Sequence, residues 1–129
     1  MNLDARSEKN LAGVHPDLVR VVRRAAILIG SGASIGFTVI EGLRSLERQK
    51  QLVAAGASKT LKSRHLTGHA VDLAALVGKD IRWDWPLYEI LAERMKRAAE
   101  AEALPLEWGG DWAFKDGPHF QLPLDKYPA

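Results

Sequence analysis

The spacing of apolar residues changes period several times along the chain, and each change marks an element. Leu18, Val19, Val22, Ala25 and Ala26 recur at helical spacing behind His15-Pro16-Asp17, with Pro16 suited to a first turn. Arg20, Arg23 and Arg24 fall largely on other faces of that helix, the pattern of a solvated side. Phe37–Ile40 is rich in β-formers and reads as a strand broken at Gly42. Ser45 can cap a second helix running to about Ala55, with Gly56 as its stop and Leu46, Gln49, Leu52 and Val53 on one side. Residues 56–66 read as loop. Ala70–Ala74 alternates and then turns apolar to Val77, a strand that ends at the turn Gly78-Lys79-Asp80. Asp84 can cap a third helix with Pro86 in its first turn and an apolar stripe of Leu87, Ile90, Leu91, Met95 and Ala98, where Met95 is core filler. Leu104–Trp108 and His119–Leu122 are short strands around a glycine-rich turn. This order predicts a small α+β domain in which helices pack on a short antiparallel or mixed sheet.

Length and composition narrow the classes. The chain has 129 residues, enough for one hydrophobic core, and the expected organisation is a single domain over 1–129. Cysteine is absent, which excludes a disulfide scaffold, a thiol nucleophile and a cysteine-rich zinc finger, but not a metal held by imidazole and carboxylate. A net charge of +2 is too small to argue for nucleic acid. A basic module built on Arg20, Arg23, Arg24, Lys59, Lys62 and Arg64 is therefore a remote alternative, and no nucleic-acid partner is expected. The apolar stretch Ala25–Ile40 is interrupted by Gly30, Ser31, Gly32, Ser34 and Gly36, so no stable membrane insertion is expected. The polar start MNLDARSEKN has no secretion-signal core, so the expectation is synthesis in the cytoplasm. A substrate outside the membrane would then require something else to let the chain through.

Chemistry concentrates in a few places. Of the four histidines, His65 and His69 share the segment 63–72 with Asp72. His65 lies in a loop before Gly68, Asp72 on the following strand, and His119 on a distant strand that a sheet can bring alongside. Zinc accepts imidazole nitrogen and carboxylate oxygen at about 2 Å, and catalytic sites usually keep three protein ligands. A loop histidine is equally a polar surface residue, and spacing leaves both readings open. His69 is an odd number of positions from Asp72 and falls on the other face of an extended segment, which makes it a pocket-wall or hydrogen-bonding residue. His15, beside Pro16, reads as structural or exposed.

Asp116 stands shortly before His119, where a carboxylate can take a proton from an activated water and pass it to a departing amine. Asp-Gly-Pro is equally a turn composition. Asp111 and Glu107 are rival bases. Arg44, at a strand–helix junction, can present a fixed fork of donors to a carboxylate or oxyanion. Gln49 can point into a cleft. Trp108 and Trp112, flanking Gly109-Gly110-Asp111, can line a groove or fill a core.

The pattern Ser63-x-His65-x-x-Gly68-x-Ala70-x-Asp72 with a distant Asp116-x-x-His119 resembles the M15 zinc peptidases of the VanY and VanX type. Glu41-Gly-Leu-Arg44, Trp108-Gly-Gly-Asp-Trp112 and Pro118-His-Phe-Gln-Leu122 bring it nearest to the L-alanyl-D-glutamate peptidase branch found in phage endolysins. The similarity runs from about Val14 to Leu122, the expected core. It implies the LAS-type metallopeptidase fold and one zinc ion per chain held by His65, Asp72 and His119. Asp116 is implied as the catalytic carboxylate and Arg44 as the residue that steadies the scissile carbonyl. Ser63 is implied as a substrate contact, beside the candidate substrate residues Gln49, His69, Trp108 and Trp112. The implied activity is hydrolysis of the L-Ala–D-Glu bond of the peptidoglycan stem peptide by a monomer acting on the cell wall in lysis, with no separate wall-binding domain. Two alternatives remain: the same fold cutting D-Ala–D-Ala, and a catalytically silent zinc-containing wall-binding protein.

Overall fold

Alternation along the strands sorts the chain into a buried face and a working face. The computed structural model describes residues 1–58 and 60–128, so Lys59, one of the basic residues named above, lies outside the described residues. The elements run α1 (Ala5–Leu11), α2 (Pro16–Ile29), β1 (Ile35–Glu41), α3 (Leu46–Ala54), β2 (Ala70–Val77), β3 (Asp80–Arg82), α4 (Trp85–Ala101), β4 (Glu107–Trp108) and β5 (His119–Gln121). Short 3₁₀ turns occur at Arg64–Thr67 and Gly109–Asp111. The sheet order is β1-β2-β5-β4, with β3 also on β2, and every pairing is antiparallel. This is the α+β architecture the periodicity predicts.

Phe37, Val39, Val71, Leu73, Ala75, Trp108 and Phe120 point from the sheet into one core, which α2 and α4 cover with Leu18, Val21, Val22, Leu91, Met95 and Ala98. The opposite face carries the polar residues. Opposed residues in an antiparallel ladder share a face, and the register sets Glu41 against Asp72 and Asp72 against His119. The next row sets Ala70 against Gln121 and Gln121 against Glu107. Strict alternation from Phe37 and Val39 would send Glu41 into the core. A β-bulge between Val39 and Glu41 shifts the register and turns Glu41 to the side of Asp72.

Several expectations are corrected here. Helix α1 was not foreseen, because its polar sequence has no stripe. Asp4 caps it by accepting from the Ser7 N–H at 2.8 Å, and Ser7 Oγ takes the Val39 N–H at 2.8 Å. Strand β3 was not foreseen, and its first residue, Asp80, falls in the expected turn 78–80. The stripe on α4 is rotated: Tyr88 and Ala92 are buried, while Ile90 is exposed. Asp84 occupies the N-cap position of α4 without a side-chain cap bond. On α3 the apolar side does not face a core, since Leu46 is exposed and the buried residue is Gln49. Arg20, Arg23 and Arg24 pair with Asp17, Glu8 and Glu102. Arg64 donates to the carbonyls of Leu122 and Tyr127 at 2.9 and 2.8 Å. These four cations are engaged within the fold.

Gly68 closes the 3₁₀ turn that carries His65, in a left-handed conformation with φ 75°. A Cβ there would also sit 2.5 Å from the Gly13 carbonyl oxygen. Gly68→Ala is therefore expected to destabilise the protein by at least about 1–3 kcal/mol through backbone strain alone. Equilibrium denaturation checks this, and an unchanged midpoint and slope would contradict it.

Candidate metal centre and catalytic cleft

Three side chains from a turn and two adjacent strands converge on the working face. His65 is held by the 3₁₀ turn, in which Ser63 Oγ accepts the His65 N–H at 3.2 Å. Its carbonyl accepts the Arg44 N–H at 2.9 Å, tying the turn to the segment after β1. Asp72 and His119 face each other across β2 and β5. One ligand atom from each of His65, Asp72 and His119 lies within 4.8 Å of the others. Asp72 Oδ1 is 3.2 Å from His65 Nε2 and 3.2 Å from His119 Nδ1. Both imidazoles are buried, at 2% and 7% exposure, while the Asp72 side chain between them is partly exposed.

The hydrogen bonds show what the cluster is built to hold. His65 Nδ1 lies 2.8 Å from the Gly42 carbonyl oxygen, which only accepts, so this nitrogen carries the proton. His119 Nε2 lies 2.8 Å from Gln121 Oε1 and likewise donates. When neutral, each ring therefore turns a lone pair inward, toward the Asp72 carboxylate. Three acceptors at this separation repel one another unless a positive charge lies between them. The donor set of two imidazole nitrogens and one carboxylate oxygen matches the preference of zinc, and the outer hydrogen bonds fix the required tautomers. The residues fit the ion.

The titration shifts express the same demand. Burial works against the Asp72 charge, yet the bonds from His119 and His65 outweigh it and hold the carboxyl well below its usual range. Burial would lower His119, but its hydrogen bond to Asp72 and the Asp72 charge prevail and raise it. For Asp116 the direction is upward, from desolvation at the cleft wall and then from the Asp72 charge.

A cleft of about 610 Å³ opens over this centre. Arg44, Ser63, Trp112 and Asp116 line it with the three candidate ligands. Asp116 Oδ2 is 4.0 Å from His119 Nδ1. Its backbone N–H donates to the Gly109 carbonyl at 2.9 Å, and a Cβ on Gly109 would lie 2.4 Å from the Asp116 carbonyl oxygen, so glycine permits this close approach. Trp112 packs against the His119 ring at 5.2 Å. Arg44 is fixed by a bidentate pair to Glu41 at 2.7 and 2.8 Å, donates to Gln49 Oε1 at 2.7 Å, and has Asp72 Oδ2 at 3.7 Å.

Other expected site residues lie elsewhere. Gln49 is fully buried behind the cleft, where its amide donates to Ser58 Oγ and the Thr60 carbonyl and so braces the 56–62 loop. Trp108 is in the core and donates to the Gly117 carbonyl at 2.7 Å, steadying the turn that delivers Asp116. His69 does not line the cleft; it stacks on His15 at 5.4 Å and meets Tyr127. Burial and the positive charge of Arg64 lower its titration. Asp111 pairs with Lys96 at 2.8 Å on the surface. Two working residues carried no role in the sequence reading. Glu41, the Arg44 clamp, was signalled by its i,i+3 spacing to Arg44. Gln121 was signalled by lying two positions past a candidate ligand on one strand face.

Fold and site together define a small peptidase domain of the LAS type. A family model described as phage L-alanyl-D-glutamate peptidase matches residues 1–122, and the chain belongs to that family. It is 34% identical over 123 residues to the L-alanyl-D-glutamate peptidase of Listeria phage A118, covering 92% of this chain but 42% of that longer protein. It is 31% identical over 125 residues to the L-alanyl-D-glutamate peptidase of Escherichia phage T5, covering 94% of this chain and 88% of the relative. Among solved structures it is similar to the Serratia marcescens L-Ala D-Glu endopeptidase ChiX, with TM-score 0.90 and 51% identity over 100% of this chain and 95% of that one. A vancomycin-resistance D,D-dipeptidase, VanXYg, solved with a D-Ala-D-Ala phosphinate analogue, aligns with TM-score 0.52 and 25% identity over 84% of this chain and 50% of its own.

The raised His119 titration has a measurable consequence for metal-stripped protein. Its stabilising contribution is complete below the unfolded imidazole value of about 6.5 and is lost as pH rises through the higher folded value. Asp72 runs the other way: its contribution is present above about 3.9 and disappears only in strong acid. Chelator-treated protein is expected to show a Tm that falls as pH rises above the unfolded imidazole value of about 6.5, a fall that His119→Gln flattens. Scanning calorimetry checks this, and a Tm that climbs there would contradict it.

Proposed function

We propose that this chain is a zinc-dependent peptidoglycan hydrolase that cuts the L-Ala–D-Glu bond of the stem peptide, acting on the cell wall in lysis. The family match over 1–122 supports the bond, and the convergence of His65, Asp72 and His119 under an open cleft supports the chemistry. One peptidase domain, with its core at about 14–122, carries the reaction. No helix among the described residues is long and apolar enough to cross a membrane, and the reading needs none, given a holin-like partner and a monomeric enzyme.

Zinc, when bound by His65, Asp72 and His119, would supply a Lewis acid that lowers the pKa of water toward about 7 and polarises a carbonyl. The chain's own residues do the rest. Asp116, its carboxyl raised above the ordinary range by desolvation and the Asp72 charge and set beside the centre, accepts a proton from the attacking water and returns it to the departing amine. Arg44 holds a fixed positive charge at the cleft floor, and its bonds to Glu41 and Gln49 leave it little freedom to reorganise as an oxyanion forms. Ser63, 3.5 Å from Arg44 Nη1, and Trp112 offer polar and flat contacts for the peptide.

Mass spectrometry of peptidoglycan digests, with and without a chelator, tests the reading. The expected product carries a new amino-terminal D-glutamate and disappears with the chelator. Release of free D-alanine would instead indicate a D,D-peptidase, and binding without cleavage a silent wall-binding protein. Asp116→Ala is expected to retain zinc while losing about 10²–10⁴-fold in turnover; wild-type turnover would remove Asp116 from its role.

A further inference from the structure

The two imidazoles of the centre are oriented by different kinds of partner. For His65 the partner is a backbone carbonyl, Gly42, whose polarity no substitution can reverse. For His119 it is a side-chain amide, Gln121, and an amide can present either its oxygen or its NH₂. A flipped Gln121 would donate to His119 Nε2, move the ring proton to Nδ1 and block the nitrogen that faces Asp72.

Something must therefore set the amide. Gln121 Nε2 donates to Glu107 Oε1 at 3.0 Å. An ionised carboxylate accepts and never donates, so Glu107 draws the NH₂ to itself and leaves Oε1 toward His119. The sheet enforces the geometry: Glu107 and Gln121 are opposed in the β4–β5 ladder, and Gln121 and His119 are next neighbours on one strand face. We propose that Glu107 and Gln121 form a positioning relay that fixes the His119 tautomer and thereby keeps Nδ1 open for the metal. The relay rests on the zinc reading given under Proposed function. It also gives Glu107, a rival catalytic base by sequence, a different task at a distance from the reacting atoms.

The test uses the full chain and two readouts besides activity: zinc affinity by competition with a chromogenic chelator, and the ¹⁵N shifts of His119 in metal-free protein above its titration. Gln121→Leu is expected to bind zinc about 10–100-fold more weakly and to show a mixture of His119 tautomers. Glu107→Gln, which frees the amide to flip, is expected to shift both readouts in the same direction. The exchanged pair Glu107→Gln with Gln121→Glu keeps an acceptor toward His119 and a bond between the partners, and is expected to restore both. Wild-type affinity and ¹⁵N shifts in Gln121→Leu would overturn the relay, as would losses that the exchanged pair fails to rescue. A wild-type protein that takes up no zinc would instead overturn the metal centre itself, and the relay with it.

Discussion

The structure depends on one unfavourable arrangement that only a cation resolves. Asp72 Oδ1 lies 3.2 Å from a ring nitrogen of each of two buried histidines, and both rings have their outer nitrogens committed to acceptors. Without a positive charge between them, lone pairs confront a carboxylate at close range, and both rings are buried. A proton answers this demand in part, which is why His119 is raised. A divalent ion held by His65, Asp72 and His119 would answer it fully, beneath the open cleft. Catalytic capacity and local electrostatic strain are thus the same feature.

That arrangement is assembled by sheet register. Two rows cross the open face, Glu41–Asp72–His119 and Ala70–Gln121–Glu107, while the residues between them build the core. One inserted residue in β1 brings Glu41 into the first row, where it can clamp Arg44 beside Asp72. The rigid layer beneath, from α2 and α4, lets the loops above carry chemistry without setting its geometry. His65 and Asp116 both arrive on tight turns secured by backbone bonds and by glycines at close approaches.

Much of this was legible in the sequence. The strand containing Asp72, the helix after Pro16 and the core role of Met95 follow from periodicity and turn chemistry. The convergence of His65, Asp72 and His119 was open on spacing alone; the motif similarity carried it. What escaped has physical reasons. Helix α1 is stabilised by capping and by Ser7 bonding into β1, neither of which leaves an apolar stripe. Gln49 and Trp108 were placed at the cleft, but each supports it from behind, because a buried polar atom and a buried indole both need partners that only tertiary structure supplies. His69 belongs to a separate stack with His15 and Tyr127. The bulge that turns Glu41 is invisible to any alternating pattern.

The most direct test of the central claim is the anomalous-scattering map of a zinc-soaked crystal recorded at the zinc edge. The account predicts one strong peak, about 2 Å from His65 Nε2, His119 Nδ1 and an Asp72 oxygen. A peak bound elsewhere, or none at this cluster with zinc present in excess, would contradict it.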